Sequence, residues 1–506
     1  MRMRLLWVAA AIGLLGLTVP PVEAQTPDPA GVIRVGHAET VRSMDPQTHT
    51  SITDWEVHFS LWDPLVYLDE KGSLVPALAV RWENPDPTTY VFHLRRDVKF
   101  HDGQPFTAAD VKFTLDRLYD PKTASPMLAW WPKPQPEIII VDDYTLRLKL
   151  QTPYAPLLRS FWLTAILPRQ AGARPDFLQK PIGTGPFKFV EYVKGDRFIA
   201  DRFDGYWGGR PKAARVHWRI IPEASARVAA LEAGEIDLIP DGIPPEEIAR
   251  IKGKRGISIQ EIGSVETRFL VLNNAKAPYN DKRVRQAIWY ALDIKGIIDG
   301  IMLKSVGHQV APMSSNTFGY PGRPLPPREY NPEKAKQLLR EAGYPNGFTA
   351  EYLVYSNNIY SKDDEVAQAI QAQLGAVGIK INISMLEIAT ALAKVARGDF
   401  EISKQGCAAA SADFALCAGI HYLGPRARNR YDNPKVNELL QHAVAVGDPN
   451  ARLKDYDEVA KILFEDAPNV WLFDGRYSIG LGPRLHGVTI HPTRINAIRE
   501  KAFVTQ

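Results

Sequence analysis

Large apolar side chains occupy every second position from Tyr90 to Leu94, the period-two pattern of a half-buried strand. The Asp102-Gly103 pair that follows predicts a tight turn, because glycine adopts positive φ and aspartate can bond to its own backbone. Thr107 then predicts a helix N-terminus, with a carboxylate three residues later as in a capping box. The apolar positions that follow share one helix face: Val111, Leu115 and Leu118. This part of the chain therefore predicts a strand, a turn and a helix in succession.

Two later segments place a helical pattern between two extended ones. The first is strand 216–221, helix 224–233 and strand 235–239; the second is strand 349–355, helix 364–377 and strand 380–385. Gly234 and Gly378 follow the two helices, at the position where glycine commonly ends a helix. A helix that joins two strands of one sheet makes a right-handed crossover, so both segments predict parallel strands and an α/β fold.

The size and charge of the chain limit its class. A chain of 506 residues is too long for one hydrophobic core and predicts two or three domains. Its 45% hydrophobic and 23% charged content is ordinary for a soluble globular protein. The 61 basic residues are interleaved with 57 acidic ones, and the net charge is only +4. This distribution offers no basic surface, so we expect no nucleic-acid partner.

The N-terminus has a composition of its own. Arg2 and Arg4 precede an uncharged apolar stretch from Leu5 to Val19, and two prolines follow that stretch. Val22 and Ala24 provide small residues at the −3 and −1 positions, so residues 1–24 are predicted to be a secretory signal peptide cleaved after Ala24. The alternative is an N-terminal membrane anchor, for which the apolar stretch is short. We expect the mature protein in the periplasm.

The sequence contains two cysteines, Cys407 and Cys417, in a segment rich in small residues. An exported protein folds under oxidising conditions, so a disulfide that closes this short loop is plausible. Two unpaired buried thiols are the alternative.

The sequence contains none of the motifs HExxH, GxSxG, CxxC or the phosphate-binding P-loop, and its histidines are scattered singly. We therefore expect no catalytic residues, no metal site and no cofactor. A secreted hydrolase stays open as an alternative, since carboxylates are abundant and sequence alone does not pair them for acid–base catalysis.

Several segments resemble the signature sequences of one known family. They are LVPALAVRW (74–82), LRRDVKFHDGQPFTAADV (94–111), PIGTGPFKF (181–189), RIIPEASARVAALEAGEIDL (219–238) and PYNDKRVRQA (278–287). The chain resembles the extracytoplasmic solute-binding proteins of peptide-type ABC transporters, the family 5 of dipeptide, oligopeptide and nickel binders. The resemblance covers nearly all of the mature chain, and the segments stand in the family's order.

The resemblance implies a particular version of the α/β fold. This is the two-lobed periplasmic binding protein fold of type II, in its large peptide-binding subclass, with an extra subdomain in the first lobe and a hinged cleft between the lobes. Residues 25–60, 180–270 and 480–506 are expected to form lobe 1, and residues 61–179 its extra subdomain. Residues 271–479 are expected to form lobe 2.

The function implied by the resemblance is solute capture for an ABC importer. The ligand is expected to be a peptide or peptide-like solute, and the partners an inner-membrane permease and its ATPase subunits, with the binding protein itself a monomer. A non-peptide solute of the same family is the alternative: an opine, an oligosaccharide, a metal chelate or haem.

The resemblance also suggests ligand contacts in lobe 2. In peptide-binding members, an aspartate of a lobe 2 loop pairs with the α-amine of the peptide. The matching loop here contains Asp413, followed by Phe414 where the family usually has proline. We expect both residues to contact ligand. The alternative for Asp413 is a solvated or turn-capping carboxylate.

Five further residues, in three segments, are expected beside the cleft. Thr48 and His49 belong to the loop that leaves the first strand in the family. Trp130 and Trp131 form an aromatic loop that either walls the cleft or packs in the core. Asn357 stands near the place where dipeptide binders have an arginine for the peptide carboxylate, so a strict dipeptide ligand is disfavoured.

Overall fold

The computed structural model describes residue 28 and residues 30–254, 256–355 and 362–505, so the predicted signal peptide lies outside the described residues. The strands before residue 210 are β1 (Val32–His37), β2 (Val66–Leu68), β3 (Leu74–Pro76), β4 (Ala79–Asp86), β5 (Thr89–Leu94), β6 (Glu137–Asp142), β7 (Thr145–Lys149), β8 (Phe187–Val193) and β9 (Arg197–Arg202). The later strands are β10 (Arg215–Ile220), β11 (Leu238–Ile239), β12 (Ser258–Leu272), β13 (Gly307–His308), β14 (Phe348–Val354), β15 (Ile379–Met385), β16 (Ile402–Ala408), β17 (Asn469–Leu481), β18 (Leu485–His486) and β19 (Phe503–Val504).

Helices cover the sheets and connect their strands. The first seven are α1 (Ile52–Leu61), α2 (Ala108–Tyr119), α3 (Leu157–Trp162), α4 (Arg169–Gly172), α5 (Ala224–Glu232), α6 (Pro245–Ile251) and α7 (Lys282–Tyr290). The other seven are α8 (Ile294–Gly300), α9 (Pro332–Glu341), α10 (Asp363–Gly375), α11 (Ile388–Arg397), α12 (Phe414–His421), α13 (Pro434–Ala445) and α14 (Pro449–Asp466). No helix of the described ranges is long and apolar enough to cross a bilayer.

Eleven strands form one mixed sheet in the order β15-β14-β16-β12-β17-β11-β1-β10-β9-β8, with β13 added beside β17. We call the part that contains β1 and β8 to β11 lobe 1, and the part that contains β14 to β16 lobe 2. The long antiparallel strands β12 and β17 belong to both lobes. Their pairing changes register between Gly263 and Thr267. Strands bend at such an irregularity, so we expect the hinge between the lobes at this point.

Both predicted strand–helix–strand segments are confirmed. Helix α5 connects β10 to β11, and both strands run parallel to β1, on its opposite sides. Helix α10 connects β14 to β15, which pair in parallel, while β16 lies parallel to β14 on the other side. The two lobes therefore repeat one arrangement, a central parallel strand flanked by two others.

The strand, turn and helix predicted around Thr107 are also confirmed. Strand β5 lies inside a four-stranded sheet, β4-β5-β7-β6, and α2 begins at the capping box of Thr107 and Asp110. The Thr107 amide donates to the Asp110 carboxylate at 2.9 Å, and the predicted apolar face of α2 is buried. This sheet lies within residues 61–179, the predicted extra subdomain. The limits of that unit and of the two lobes stay predictions.

The hydrophobic core is divided into clusters, and the largest joins the four-stranded sheet to the large sheet. One buried cluster extends from the four-stranded sheet, through Phe92 and Trp162, to Phe269 and Trp471 of the large sheet in lobe 2. A second cluster packs beneath β1, β8 and β10 of lobe 1. The four-stranded sheet therefore packs against lobe 2 through buried apolar side chains, although the chain connects it to lobe 1.

Cys407 and Cys417 are joined in a disulfide, with Cα atoms 6.0 Å apart. The pair connects the end of β16 to α12 and encloses the loop that contains Asp413.

We expect the double substitution Cys407→Ala and Cys417→Ala to lower the free energy of unfolding by about 2–3 kcal/mol, because the crosslink reduces the conformational entropy of the unfolded chain. Urea unfolding of the oxidised protein and of the variant measures the difference. Reduction of the native protein should reproduce the shift, and an unchanged unfolding midpoint would contradict it.

Candidate functional site

A cavity of about 540 Å³ lies between lobe 1 and lobe 2, against β17 near the hinge. Lobe 1 lines it with residues just after β1 and around the start of α5, and lobe 2 with residues after α8 and at the start of α10. Its charged lining includes Glu39, Arg227, Asp241, Asp363, Arg476 and Arg494. The volume is within the range of pockets that hold small ligands. We call this space the interlobe cavity.

The topology explains why polar residues of both lobes meet here. In an open α/β sheet, a crevice forms at the carboxyl end of a strand whose two neighbours connect to opposite faces. In lobe 1 that strand is β1, which ends at His37 between β10 and β11. In lobe 2 it is β14, which ends at Val354 between β15 and β16. The interlobe cavity therefore lies where the crevices of both lobes face each other.

A buried ion cluster supports the lobe 1 wall. The Nδ1 atom of His37 lies 3.1 Å from Asp241 Oδ1, and its Nε2 atom lies 3.6 Å from Glu56 Oε2. Burial alone would lower the pKa of His37, but the negative charges of Asp241 and Glu56 outweigh burial and raise the pKa to about 9. Burial raises the pKa of Glu56 to about 7. His37 is thus a cation that fixes Asp241 at the cavity wall.

Two buried arginines complete this wall. Arg227 donates through Nη1 to the carbonyls of Ile221 and Pro222, both at 2.7 Å. Arg494 pairs with Glu266 of β12 at 3.0 Å and donates to the carbonyl of Asp241 at 3.3 Å. Arg494 therefore ties the C-terminal segment to the hinge strand and to lobe 1.

The lobe 2 wall carries charges of both signs. Lys362 and Asp363 line it, and Lys404, which lies behind the lining, bonds through its ammonium group to Asp363 and donates to the carbonyl of Tyr355 at 2.9 Å. Burial lowers the pKa of Lys404 to about 8, against the opposing effect of Asp363. Lys362 lies 3.8 Å from Glu365 at the start of α10. Fixed charges in a partly closed space recognise charged groups of a ligand strongly, because water competes less there.

His37, Glu56 and Asp241 are also the one group of described residues close enough to hold a metal ion together, with ligand atoms within 4.8 Å. Metal binding needs an imidazole nitrogen with a free lone pair. Both ring nitrogens of His37 face carboxylates, and the raised pKa keeps the ring protonated. In this structure the three side chains pair with one another as a buried ion cluster.

Asp413 does not line the interlobe cavity. Its side chain is 1% exposed, caps α12 by accepting from the Ala415 amide, and accepts twice from Arg452 Nη2 at 2.9 Å. The turn-capping alternative therefore describes its geometry. Phe414 is buried against the rings of Tyr422 and Tyr456. Contact of either residue with ligand stays a prediction.

The other predicted contacts lie apart from the interlobe cavity as well. The Nε2 atom of His49 lies 3.0 Å from His58 Nδ1 in the interior, and Thr48 bonds to Ser43 at 2.8 Å. The Trp130 ring lies 5.9 Å from that of Trp55, and the Trp131 ring lies 4.8 Å from that of Phe161, so the core packing alternative describes both. Asn357 lies outside the described residues, in the segment that precedes α10.

Sequence reasoning did not identify the charged residues that line the interlobe cavity. Glu39 follows β1, Glu223 and Arg227 follow β10, and Asp363 follows β14. A signal for them was present, since each stands after the carboxyl end of a strand in a strand–helix–strand segment. Asp241 carries the same signal, since it follows β11, whereas Arg494 carries none, because only the folded chain brings it to the wall.

Comparisons with known proteins agree with the geometry. A model of the bacterial extracellular solute-binding proteins, family 5 (middle region), matches residues 73–415. The probable D,D-dipeptide-binding periplasmic protein DdpA of Escherichia coli (strain K12) is 28% identical to this chain over 484 residues, covering 92% of each. Heme-binding protein A of Haemophilus influenzae is 30% identical over 464 residues, covering 84% of this chain and 83% of that protein.

Among solved structures, the periplasmic binding protein DppA from Helicobacter pylori, in complex with the peptide STSA, superposes on this chain with a TM-score of 0.77. The identity is 28%, and the match covers 94% of this chain and 98% of that one. The two-lobed α/β fold is therefore shared with a peptide complex.

Proposed function

Since this chain belongs to the bacterial extracellular solute-binding proteins of family 5, we propose that it captures a peptide or peptide-like solute between its lobes for an ABC importer. Members of this family are binding proteins, and the same role is proposed here. The permease and the ATPase subunits, which would use the ATP, are the proposed partners of a monomeric binding protein.

The observation that carries the proposal is the interlobe cavity with fixed charges of both signs on both walls. A peptide is a zwitterion, with an ammonium group at one end and a carboxylate at the other. Asp241 and Asp363 offer acceptors for an ammonium group, and Arg476 offers a donor for a carboxylate. Closure of the lobes around such a solute would exclude water and strengthen both contacts.

The names of the relatives support a peptide. One is a probable D,D-dipeptide-binding protein, and one structure holds the peptide STSA. A haem-binding relative at similar identity keeps non-peptide solutes among the outcomes of the test. The predicted signal peptide, with cleavage after Ala24, supports a periplasmic location.

We expect native mass spectrometry of the protein purified from a periplasmic extract to detect a bound species that denaturation releases as one peptide or a short series. The control is the same protein unfolded in guanidinium, washed and refolded, which should release nothing.

Two results would overturn the proposal. Release of haem, an opine or a sugar would assign the non-peptide alternative. The other is a washed and refolded protein that binds no alanine oligopeptide of two to five residues in calorimetry. Conversion of an added peptide, in place of its recovery unchanged, would favour the hydrolase.

A further inference from the structure

Arg159 belongs to the lobe 1 side of the molecule, but its guanidinium group contacts lobe 2. Arg159 lies on α3, within the predicted extra subdomain, and is 8% exposed. Its Nη1 atom donates to the carbonyl of Ser411 at 3.2 Å, and its Nε atom lies 3.6 Å from Asp413 Oδ2. Its Nη2 atom donates back to the carbonyl of Gly72 at 3.0 Å. Arg159 therefore bridges the two parts of the molecule from a buried position.

Asp413, one of the two lobe 2 residues that contact Arg159, also has a second partner. Arg452 neutralises Asp413 through two bonds of 2.9 Å and also donates to Tyr456 at 3.1 Å. Both guanidinium groups also lie against the ring of Phe318, whose centroid is 4.7 Å from Arg452 Cζ and 5.3 Å from Arg159 Cζ. Withdrawal of Arg159 would leave no unpaired buried carboxylate, because the Asp413–Arg452 pair persists.

Two more hydrogen bonds join the same surfaces. The Trp162 ring, one helical turn from Arg159 on α3, donates through Nε1 to the carbonyl of Ala410 at 3.3 Å. The amide of Ala155, just before α3, donates to the carbonyl of Val444 at 2.7 Å. Ala410 and Ser411 both belong to the loop that the disulfide encloses. The bonds from Trp162 and Arg159 therefore reach a covalently constrained segment.

We propose that Arg159 is a positioning residue for ligand capture, which stabilises the closed arrangement of the lobes by binding the 407–417 loop of lobe 2. This proposal rests on the proposed function, since capture by closure is the event that Arg159 would assist. The hinge lies in β12 and β17, whereas Arg159 contacts lobe 2 through α3, so opening of the lobes would break its contact.

The energetics of the contact suit a reversible step. Burial lowers the pKa of Arg159, which means that closure costs hydration of its charge. The bond to the Ser411 carbonyl and the longer contact to Asp413 offset part of that cost. A contact with a small net gain shifts the balance between open and closed forms without locking either one, as a binding protein that must release its solute requires.

The test compares the wild type with Arg159→Met, which keeps the length of the side chain and removes its charge and donors. The matched control is Arg174→Met, since Arg174 is a half-exposed arginine of the same region that pairs with Asp176 at 3.6 Å. X-ray scattering of the ligand-free proteins should give a larger radius of gyration for Arg159→Met than for the other two. Alanine oligopeptides should dissociate from it about tenfold faster, the factor for one charge-assisted hydrogen bond.

A merely structural role would lower the melting temperature of Arg159→Met and leave its scattering profile and dissociation rate at the wild-type values, which would overturn the proposal. If Arg159→Met does not fold, Trp162→Phe removes the donor to Ala410 together with part of the buried ring, and it should enlarge the ligand-free protein in the same direction. An unchanged profile would overturn the proposal. If no peptide binds the wild type, the proposed function fails, while scattering of the ligand-free proteins still decides the role of Arg159.

Discussion

Replacement of Asp413 by alanine is expected to lower the free energy of unfolding by about 3–5 kcal/mol, the cost of removing one partner from a buried ion pair. Asp413 is 1% exposed, and its two bonds to Arg452 would be lost together with the cap of α12. Arg452 would stay buried without a carboxylate. Urea unfolding followed by circular dichroism measures the difference.

The same variant decides between the two roles of Asp413. The control is Asp399→Ala, because Asp399 is an exposed lobe 2 carboxylate in a surface pair with Arg397, and its removal should change stability by less than about 0.5 kcal/mol. If Asp413→Ala unfolds like the wild type but loses peptide affinity, Asp413 binds the peptide α-amine, as the family resemblance implies. A large loss of stability with unchanged affinity for the folded fraction assigns the structural role.

The pH dependence of stability should reveal the buried cluster beneath the interlobe cavity. The pKa of His37 rises from 6.5 to about 9 on folding, so its contribution is fully present below pH 6.5 and is lost as the pH rises through 9. At about 1.4 kcal/mol per pKa unit, the loss is on the order of 3 kcal/mol. Glu56, with its pKa raised to about 7, acts in the same direction between pH 4.5 and 7.

Unfolding of the wild type should therefore become easier as the pH rises from 6 to 8, whereas above pH 8 the lowered pKa of Lys404 acts in the opposite direction. His37→Gln should be less stable at pH 6 and should lose much of this slope. The control is His486→Gln in the two-stranded sheet of β18 and β19, which should keep the slope of the wild type. Parallel curves for His37→Gln and the wild type would contradict the assignment of the slope to His37.

Elements with local signals were predictable from the sequence. The capping box at Thr107 and the period-two pattern of β5 involve neighbouring positions, so short-range physics decides them. The helices between β10 and β11 and between β14 and β15 were predictable for the same reason, and the handedness of crossovers then determined parallel strands. The family was predictable because its signature segments are contiguous.

The packing of side chains was not predictable in this way. Trp131 and His49 are compatible with a cleft or with a core, and only the arrangement of α1 and α3 places them inside. Polar side chains are ambiguous for a similar reason. A carboxylate binds a ligand, a helix end or an arginine with the same chemistry, and its neighbours decide which.

The sequence by itself determined the alternation of strands and helices, the caps of several helices and the resemblance to a family of binding proteins. Only the tertiary structure decided that Asp413 faces Arg452, 39 residues away, and that His37 faces Asp241, 204 residues away. Those pairs depend on how lobes and helices pack, and long-range packing leaves no periodic trace in the chain. The interlobe cavity belongs to the same class, because its walls come from segments that meet only when both lobes have folded around the hinge.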